Sequence, residues 1–552
     1  MNLNGLYVRD GVIAATLMLV VTTLYLPVTS FEYFNFDDNL YIYENPQVRD
    51  GLSWHGLLWA FRTTLGGHWH PLTWLSLMVD IELFGVNNAG ALHLENLIIH
   101  ASSSALFFLL LRRWQIPAFS AMLVTLIFAL HPMRLESVVW ASQRKDCLSM
   151  LMLLLTLHNY SAWVRSKNPL PYIISLFCFL LGLLAKPTLV VFPLLLPLLH
   201  LWPLQERLSL KAVGSFLLIA SISAVATLYG QINAGAVTGV TVLPWGTRLS
   251  NSGVHLIGYI GKFLLPTTTA IFYPLQHFPP GIGVGAWVTL GTLTFLLIKG
   301  HNSPPLIFGW LWFLVTLIPV CGLIQVGGQS LTDRWSYVPH LGACAAIAGC
   351  LANYRERRHI AVSILVLWTI YCIGVTRLEL PHWRNSESVF LHTISASPDN
   401  FMAHNNLGAY YDGNGQYTKA LYHYQEAVRL APHYPVSLGN LASVFSRQGN
   451  YKEAARYFER ALEFAPSSID VNYNYGLMLY QSGYRCSAVE RWASVVSMKP
   501  DYRPAVDSLK FAVSHEKLLK RMCANHIALR HTLERWSPAS PELQKLKMQL
   551  LF

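Results

Sequence analysis

The sequence predicts an all-α chain, a polytopic helical membrane bundle of about 11 spans followed by a soluble α-solenoid of short repeats. Three observations predict it. Hydrophobic residues make up 53% of the chain and charged residues only 12%, against about 25% charged in soluble domains. Almost all of that apolar excess lies before residue 378. Beyond it, small and aromatic residues return with a fixed period of 34.

Apolar runs near bilayer-crossing length occur at 11–29, 94–111, 117–131, 147–164, 171–186, 188–204, 212–230, 284–299, 305–324, 336–353 and 359–377. Residues 172–204 are too long for one crossing, and Lys186-Pro187 breaks them, because proline cannot continue a helix and the ammonium seeks water. A tight hairpin is expected there. The run 250–266, SNSGVHLIGYIGKFLLP, is polar along one side and interrupted by glycines, which predicts an interfacial or re-entrant helix. The first run lacks an A-x-A-type cleavage site, so it reads as a retained signal-anchor.

With the amino terminus in the cytoplasm and eleven spans, each inside loop is basic. These loops carry Arg112 and Arg113, Arg165 and Lys167, Arg207 and Lys211, Lys299, and Arg355, Arg357 and Arg358. The net charge of +11 is therefore a topology and anionic-lipid signal, and nucleic acid is not expected as a partner. Outside lies a second set at span ends: Arg134, Arg144, Lys145, Lys186, Arg248, Lys262 and Arg334. Singly these could be snorkelling side chains, but as a ring they could hold phosphate, whose oxygens match guanidinium forks. The eight cysteines show no CxxC spacing, and neither a disulfide framework nor a zinc knuckle is expected.

Adjacent carboxylates, Asp37 and Asp38, follow the first run directly in FNFDDNLYIYENP. Acids this close to a bilayer need water or a function. They open a loop of about sixty residues, rich in Trp and His, that should pack on the bilayer surface as short helices. His68 and His70 flank Trp69 there, but HxH without further spaced ligands is a weak metal signal, and no metal site is assigned.

From residue 397, Pro398, Pro432, Pro466 and Pro500 recur in phase with Asn406, Asn440 and Asn474, and with Gly408, Ala442 and Gly476. Ala420, Ala454 and Ala488 hold the same phase, as do Tyr424, Phe458 and Trp492. A 34-residue period with small residues at helix crossings and a closing proline is the tetratricopeptide signature. Units are expected near 399–432, 433–466 and 467–500, then a degenerate or capping 501–535 and a tail, 536–552. Such arrays bind something extended.

Four stretches, FDDNLYIYENPQV, HWHPLTWLS, HPMRLESVVWASQRKD and LLAKPTLVVFPLLLPLLHLWPL, occur in order before TDRWSYVPHLG and the repeats. In this ordered set the chain resembles the transmembrane-and-tetratricopeptide family, glycosyltransferases of the multi-span GT-C superfamily related to protein O-mannosyltransferases. The resemblance covers nearly the whole chain. It implies a transferase domain over 1–378, a linker at 379–396, and an inverting reaction with a polyprenyl-phosphate sugar as donor. The acceptor would be a protein, on Ser or Thr, recruited through the repeat groove.

Carried onto this sequence, Asp37 would be the general base and Asp38 a helper. Arg144, Lys145, Lys186 and Arg334 would contact the donor phosphate, with His70, His131, Arg134 and Glu136 shaping the site. A divalent cation, Mg or Mn, is possible between the two acids and the donor phosphate. The chain departs from the family pattern at Gln143, at His200 and at Trp335, while its basic residues survive. A bacterial inner membrane with periplasmic repeats is expected, partly from the lack of paired cysteines, or the endoplasmic reticulum membrane in a eukaryote. The alternative is a non-catalytic, membrane-anchored scaffold for envelope assembly. A transporter fits less well, because charges cluster at span ends.

Overall fold

A computed structural model describes residues 3–233, 243–267, 269–300, 303–353, 358–515, 523 and 526–550. The expected contributions of Arg355 and Arg357 lie outside these residues. The chain divides into two units, Met1–Pro398 and Asp399–Phe552. Both are helical, and among the described residues the one extended pairing is an isolated bridge between Pro274 and Gln329.

The first unit begins with α1 (Leu3–Tyr25), then α2 (Trp54–Arg62) and α3 (Pro71–Phe84) in the outer loop. It continues through α4 (Ala89–Arg113), α5 (Ala118–Leu130), α6 (Leu135–Val139), α7 (Arg144–Ser166), α8 (Pro169–Ala185) and α9 (Phe192–Leu201). Next come α10 (Leu210–Asn233), α11 (Trp245–Leu264), α12 (Pro280–Gly300), α13 (Pro304–Leu317), α14 (Tyr337–Asn353), α15 (Arg358–Glu379) and α16 (Ser386–Ala396).

All eleven expected runs are helical, and seven helical segments are long and apolar enough to cross a membrane. An eighth is the pair Ala118–Leu130 and Pro132–Val139, bent by 58° where His131-Pro132 interrupts the ladder. The other three, Pro169–Ala185, Pro187–Leu201 and Pro304–Val320, are shorter. At the expected break Lys186 is extended, and Phe179 and Phe192 meet at 5.2 Å across the turn. The stretch 250–266 lies mostly in α11, whose buried face carries Arg248, Ser250, Asn251, Ser252 and His255.

Local chemistry sets the helix starts. Ser53 caps α2 by accepting from Gly56 N at 2.9 Å, and Asn88 caps α4 by accepting from Ala91 N at 3.2 Å. Both satisfy amides that the first turn leaves unpaired.

Two expectations on the domain map change. Residues 379–396 are not a linker but part of the first unit. Trp383 and Phe390 are buried, with rings 6.1 Å from Phe34 and 6.4 Å from Phe36. The apolar faces of α16 and the turn before it have the Asp37 loop to bury against, so the chain does not detach there.

The second unit pairs α17 (Phe401–Gly413) with α18 (Tyr417–Leu430), α19 (Pro435–Arg447) with α20 (Tyr451–Phe464), and α21 (Ile469–Gln481) with α22 (Arg485–Met498). Gly415, Gly449 and Gly483 take positive φ between the helices of each pair, a conformation a Cβ resists. The in-phase small and aromatic residues meet. A Cβ on Gly408 would come within 2.7 Å of the Tyr424 ring.

After the repeats follow α23 (Arg503–His515), α24 (Ile527–Arg535) and α25 (Pro541–Leu550). Leu543, Leu546 and Leu550 join the core of the third repeat, so Pro541–Leu550, expected as tail, is a packed helix. Cys486 and Cys523 form a disulfide with Cα atoms 5.4 Å apart. This corrects the expectation of no disulfide, because the two residues lack a spacing signature and only the tertiary fold makes them neighbours. It also removes the missing-cystine argument for a bacterial membrane.

Gly408→Ala should destabilise the repeat unit by about 1–3 kcal/mol through overpacking against Tyr424. Limited proteolysis of the full chain in a denaturant series would show earlier cleavage within 399–430 in the variant.

Candidate active site

One end of the membrane unit gathers the candidate residues. Asp37 follows α1, Glu136 lies in α6, Lys145 in the first turn of α7, Lys186 between α8 and α9, and Arg334 just before α14. The two acids at the centre take different parts. Asp38 is fully buried, and its two carboxylate oxygens accept from the backbone N–H of Phe34 and of Ser142, each at 2.9 Å. It thereby fastens the chain leaving α1 to the start of α7. Burial pushes its carboxyl up to about 7, against the opposing pull of those amides.

Asp37 sits in the left-handed region at φ 63, which Asp tolerates better than most residues. Among the described residues its half-buried carboxylate has no hydrogen-bond or ion-pair partner. It lies within electrostatic reach of Lys145 and Arg334.

The cations divide as sharply. Arg144 is buried and fully used: it pairs with Asp80 at 2.6 Å, bonds Asn96, and donates to Ser76 Oγ at 2.9 Å and Leu92 O at 3.1 Å. All three of its nitrogens engage protein groups and its charge is matched by Asp80, so the structure does not bring it to the phosphate role. Lys145, one residue on, holds its ammonium 4.3 Å from the Tyr41 ring centroid with no carboxylate partner among the described residues. Lys186 pairs with Asp146, and Arg334 with Glu136. Glu136 also accepts from Arg334 N at 2.7 Å, which fixes the arginine at both ends, and the guanidinium covers the Trp140 ring at 5.4 Å. A narrow cleft, with about 20 Å³ of free volume, lies among Asp146, Lys186, Thr316, Arg334 and Trp335.

Arg134 and His131 lie inside the bundle instead. Arg134 donates to Ser336 Oγ and to His340 Nδ1, both at 2.7 Å, and His131 Nε2 bonds Phe263 O at 3.0 Å. Both bond to bundle residues, and of the expected ring of seven basic residues Lys186 and Arg334 line the cleft, with Lys145 within electrostatic reach of both. Lys262 belongs nearby, paired with Asp333 at 2.6 Å, while Tyr273 donates to the same carboxylate at 3.2 Å.

His70 is stacked between Tyr41 and Trp74, at 5.5 and 4.9 Å, and burial holds it neutral. His68, named in the sequence with His70, was given no site role there. It is 5.8 Å from His70, and burial together with Lys145, Lys186 and Arg334 keeps its pKa down at about 3. The flanking HxH pattern was its only signal. A divalent cation does not fit these residues well. No three His, Cys, Asp or Glu are grouped for a metal among those described, and both oxygens of Asp38 are occupied.

Comparison with known proteins bears on this geometry. A tetratricopeptide-repeat family model matches residues 399–467. The human Protein O-mannosyl-transferase TMTC4 is 23% identical over 477 residues, which cover 71% of this chain and 63% of that protein. The chain is TMTC-like. The Caenorhabditis elegans Protein O-mannosyl-transferase F38B6.6 is 22% identical over 434 residues, 73% of this chain and 60% of its own. The TMTC-like chain thus spans less than two thirds of the length of these curated relatives. Among solved structures, MamA aligns with 27% of this chain and 86% of its own at 20% identity and a TM-score of 0.22, too weak a superposition to bear on the fold.

Two results separate the neighbouring cations and acids. Arg144→Ala should strand Asp80 in the interior at about 3–5 kcal/mol and lower the yield of folded protein, whereas Lys145→Ala should purify with wild-type thermal stability. Asp38 gains protons on folding, because its folded pKa of about 7 exceeds the roughly 4 of a free Asp. Its stabilisation is complete below pH 4 and is lost as pH rises through 7. The unfolding temperature of wild type should therefore fall more between pH 5 and pH 8 than that of Asp38→Asn.

Proposed function

We propose that this integral-membrane protein is a glycosyltransferase that moves a sugar from a polyprenyl-phosphate carrier to a Ser or Thr hydroxyl. The observation that carries the proposal is the carboxylate of Asp37, which has no partner among the described residues and lies within electrostatic reach of Lys145, itself without a carboxylate partner among them. A serine hydroxyl is a poor nucleophile until a base takes its proton in the transition state. Asp37 is the acid whose oxygens are free to do so, since Asp38 is committed to two backbone amides.

As the acceptor oxygen bonds the anomeric carbon, the bond from that carbon to the carrier phosphate breaks on the opposite face, inverting the centre. The electron pair leaves on the phosphate. Lys145, with Arg334 and Lys186 at the cleft, meets that charge. Asp146 and Glu136 keep those two cations extended, so little reorganisation is needed when charge develops. The neutral His68 beside them can accept from or donate to a sugar hydroxyl.

The GT-C assignment, the mannosyl group and the protein acceptor rest on the printed names of the relatives and on the sequence motifs. The repeats suit recruitment of an extended acceptor segment. By the positive-inside pattern the Asp37 end faces the periplasm in a bacterium, or the lumen of the endoplasmic reticulum in a eukaryote.

Purified protein offered a panel of polyprenyl-phosphate sugars and a Ser/Thr-rich peptide should transfer sugar. Asp37→Asn should lower kcat by at least about 100-fold with folding intact. Equal rates in wild type and variant would move the base elsewhere. Silence in both, across donors and acceptors, would favour the membrane-anchored scaffold.

A further inference from the structure

A second cavity lies away from the charged cleft. It is a groove of about 900 Å³ between α11, α12, α13, α14 and α15, lined by side chains such as Phe263, Leu297, Phe313, Ala346 and Ile364. Among the described residues that line it the one charged side chain is Arg358, at the first turn of α15. Small residues create the depth, since Gly309 of α13 faces Ala346 of α14.

Arg358 marks which end the groove opens to. Its Nη2 lies 3.3 Å from Ser120 Oγ at the start of α5, and no carboxylate pairs with it among the described residues. The same end carries Trp114 after α4 and Trp202 after α9, both packed on Phe308 at the start of α13. Arg112, Arg113, Arg165 and Lys299 terminate their helices there. Asp37, Lys186 and Arg334 terminate or precede theirs at the other end. A carrier lipid whose phosphate meets Arg334 would therefore place its headgroup at the end opposite Arg358.

An apolar groove at bilayer depth holds neither water nor vacuum cheaply, and the solvent at hand is lipid chain. A guanidinium without an acid partner at its mouth selects a phosphate headgroup, which matches its paired N–H donors. Basic residues at this face of a membrane already favour anionic lipid.

We propose that this groove is a binding site for an anionic glycerophospholipid, with one acyl chain lying between α11 and α15 and the phosphate on Arg358. The site stands whether or not the protein transfers sugar.

The test uses the full chain in detergent, stripped of lipid, with dioleoyl phosphatidylglycerol or dioleoyl phosphatidylcholine added. Native mass spectrometry counts bound lipid, and thermal unfolding reports its effect. Phosphatidylglycerol should bind at a stoichiometry of one per chain and raise the unfolding temperature more than phosphatidylcholine. Arg358→Gln should weaken phosphatidylglycerol about five- to ten-fold and leave phosphatidylcholine unchanged. Ile364→Trp, on a helix face that is 60% exposed at that residue, should fill the groove and abolish retention of either lipid. Equal binding of the two lipids by wild type, or an unaltered affinity in Arg358→Gln, would overturn the proposal in favour of unspecific annular lipid. Displacement of phosphatidylglycerol by equimolar polyprenyl phosphate would overturn it in favour of the carrier lipid.

Discussion

Charge withdrawn from water at the end of a bilayer is costly unless it is paired, and this constraint organises the membrane unit. Lys186 meets Asp146, Arg334 meets Glu136, Lys262 meets Asp333, and Arg144 meets Asp80. Each pair joins different parts of the chain, so neutralising the charges also ties the helix ends together. The cost of desolvation, rather than net attraction, makes these contacts obligatory: a buried ion deprived of its partner is far more damaging than a pair replaced together. Among the described residues Asp37 and Lys145 are left without such a partner, of opposite sign and within electrostatic reach of each other.

Asp38 explains how the leftover acid is kept there. By accepting from Phe34 and Ser142 it closes the loop after α1 onto the turn before α7, and the sharp left-handed turn at Asp37 faces that carboxylate elsewhere. A carboxylate bonded to two amides positions its neighbour and is itself unavailable for proton transfer. The aromatic column of Tyr41, His70 and Trp74 backs Lys145 from the other side and excludes water around it. The lower dielectric strengthens whatever the ammonium contacts.

The two ends of the membrane unit divide their chemistry. The Asp37 end is crowded with paired charge and opens a narrow polar cleft, while the Arg358 end is basic, aromatic and apolar. The repeat unit obeys a different rule altogether. Its stability is a sum of helix-hairpin contacts between neighbours, which is why one residue class, small opposite aromatic, recurs at each crossing. The disulfide between Cys486 and Cys523 adds a covalent tie within its second half.

Periodicity and hydropathy are local, and they decided the helical class, the eleven apolar helices, the break at Lys186-Pro187 and the 34-residue repeat before any contact was known. The same pattern could not tell Arg144 from Lys145. They are adjacent, both basic and both at a span end, yet one turns inward to Asp80 and the other outward over Tyr41, because successive helical residues point about 100° apart and only the neighbours say which side is filled. Nor could it separate Asp37 from Asp38, place Arg134 in the interior, pair the two cysteines, or show that 379–396 folds back on the Asp37 loop. Those outcomes depend on residues tens to hundreds of positions away. The sequence by itself determined which segments are helices, because periodicity is local; the tertiary structure alone decided which charges are paired in holding the fold and which are left without a partner among the described residues.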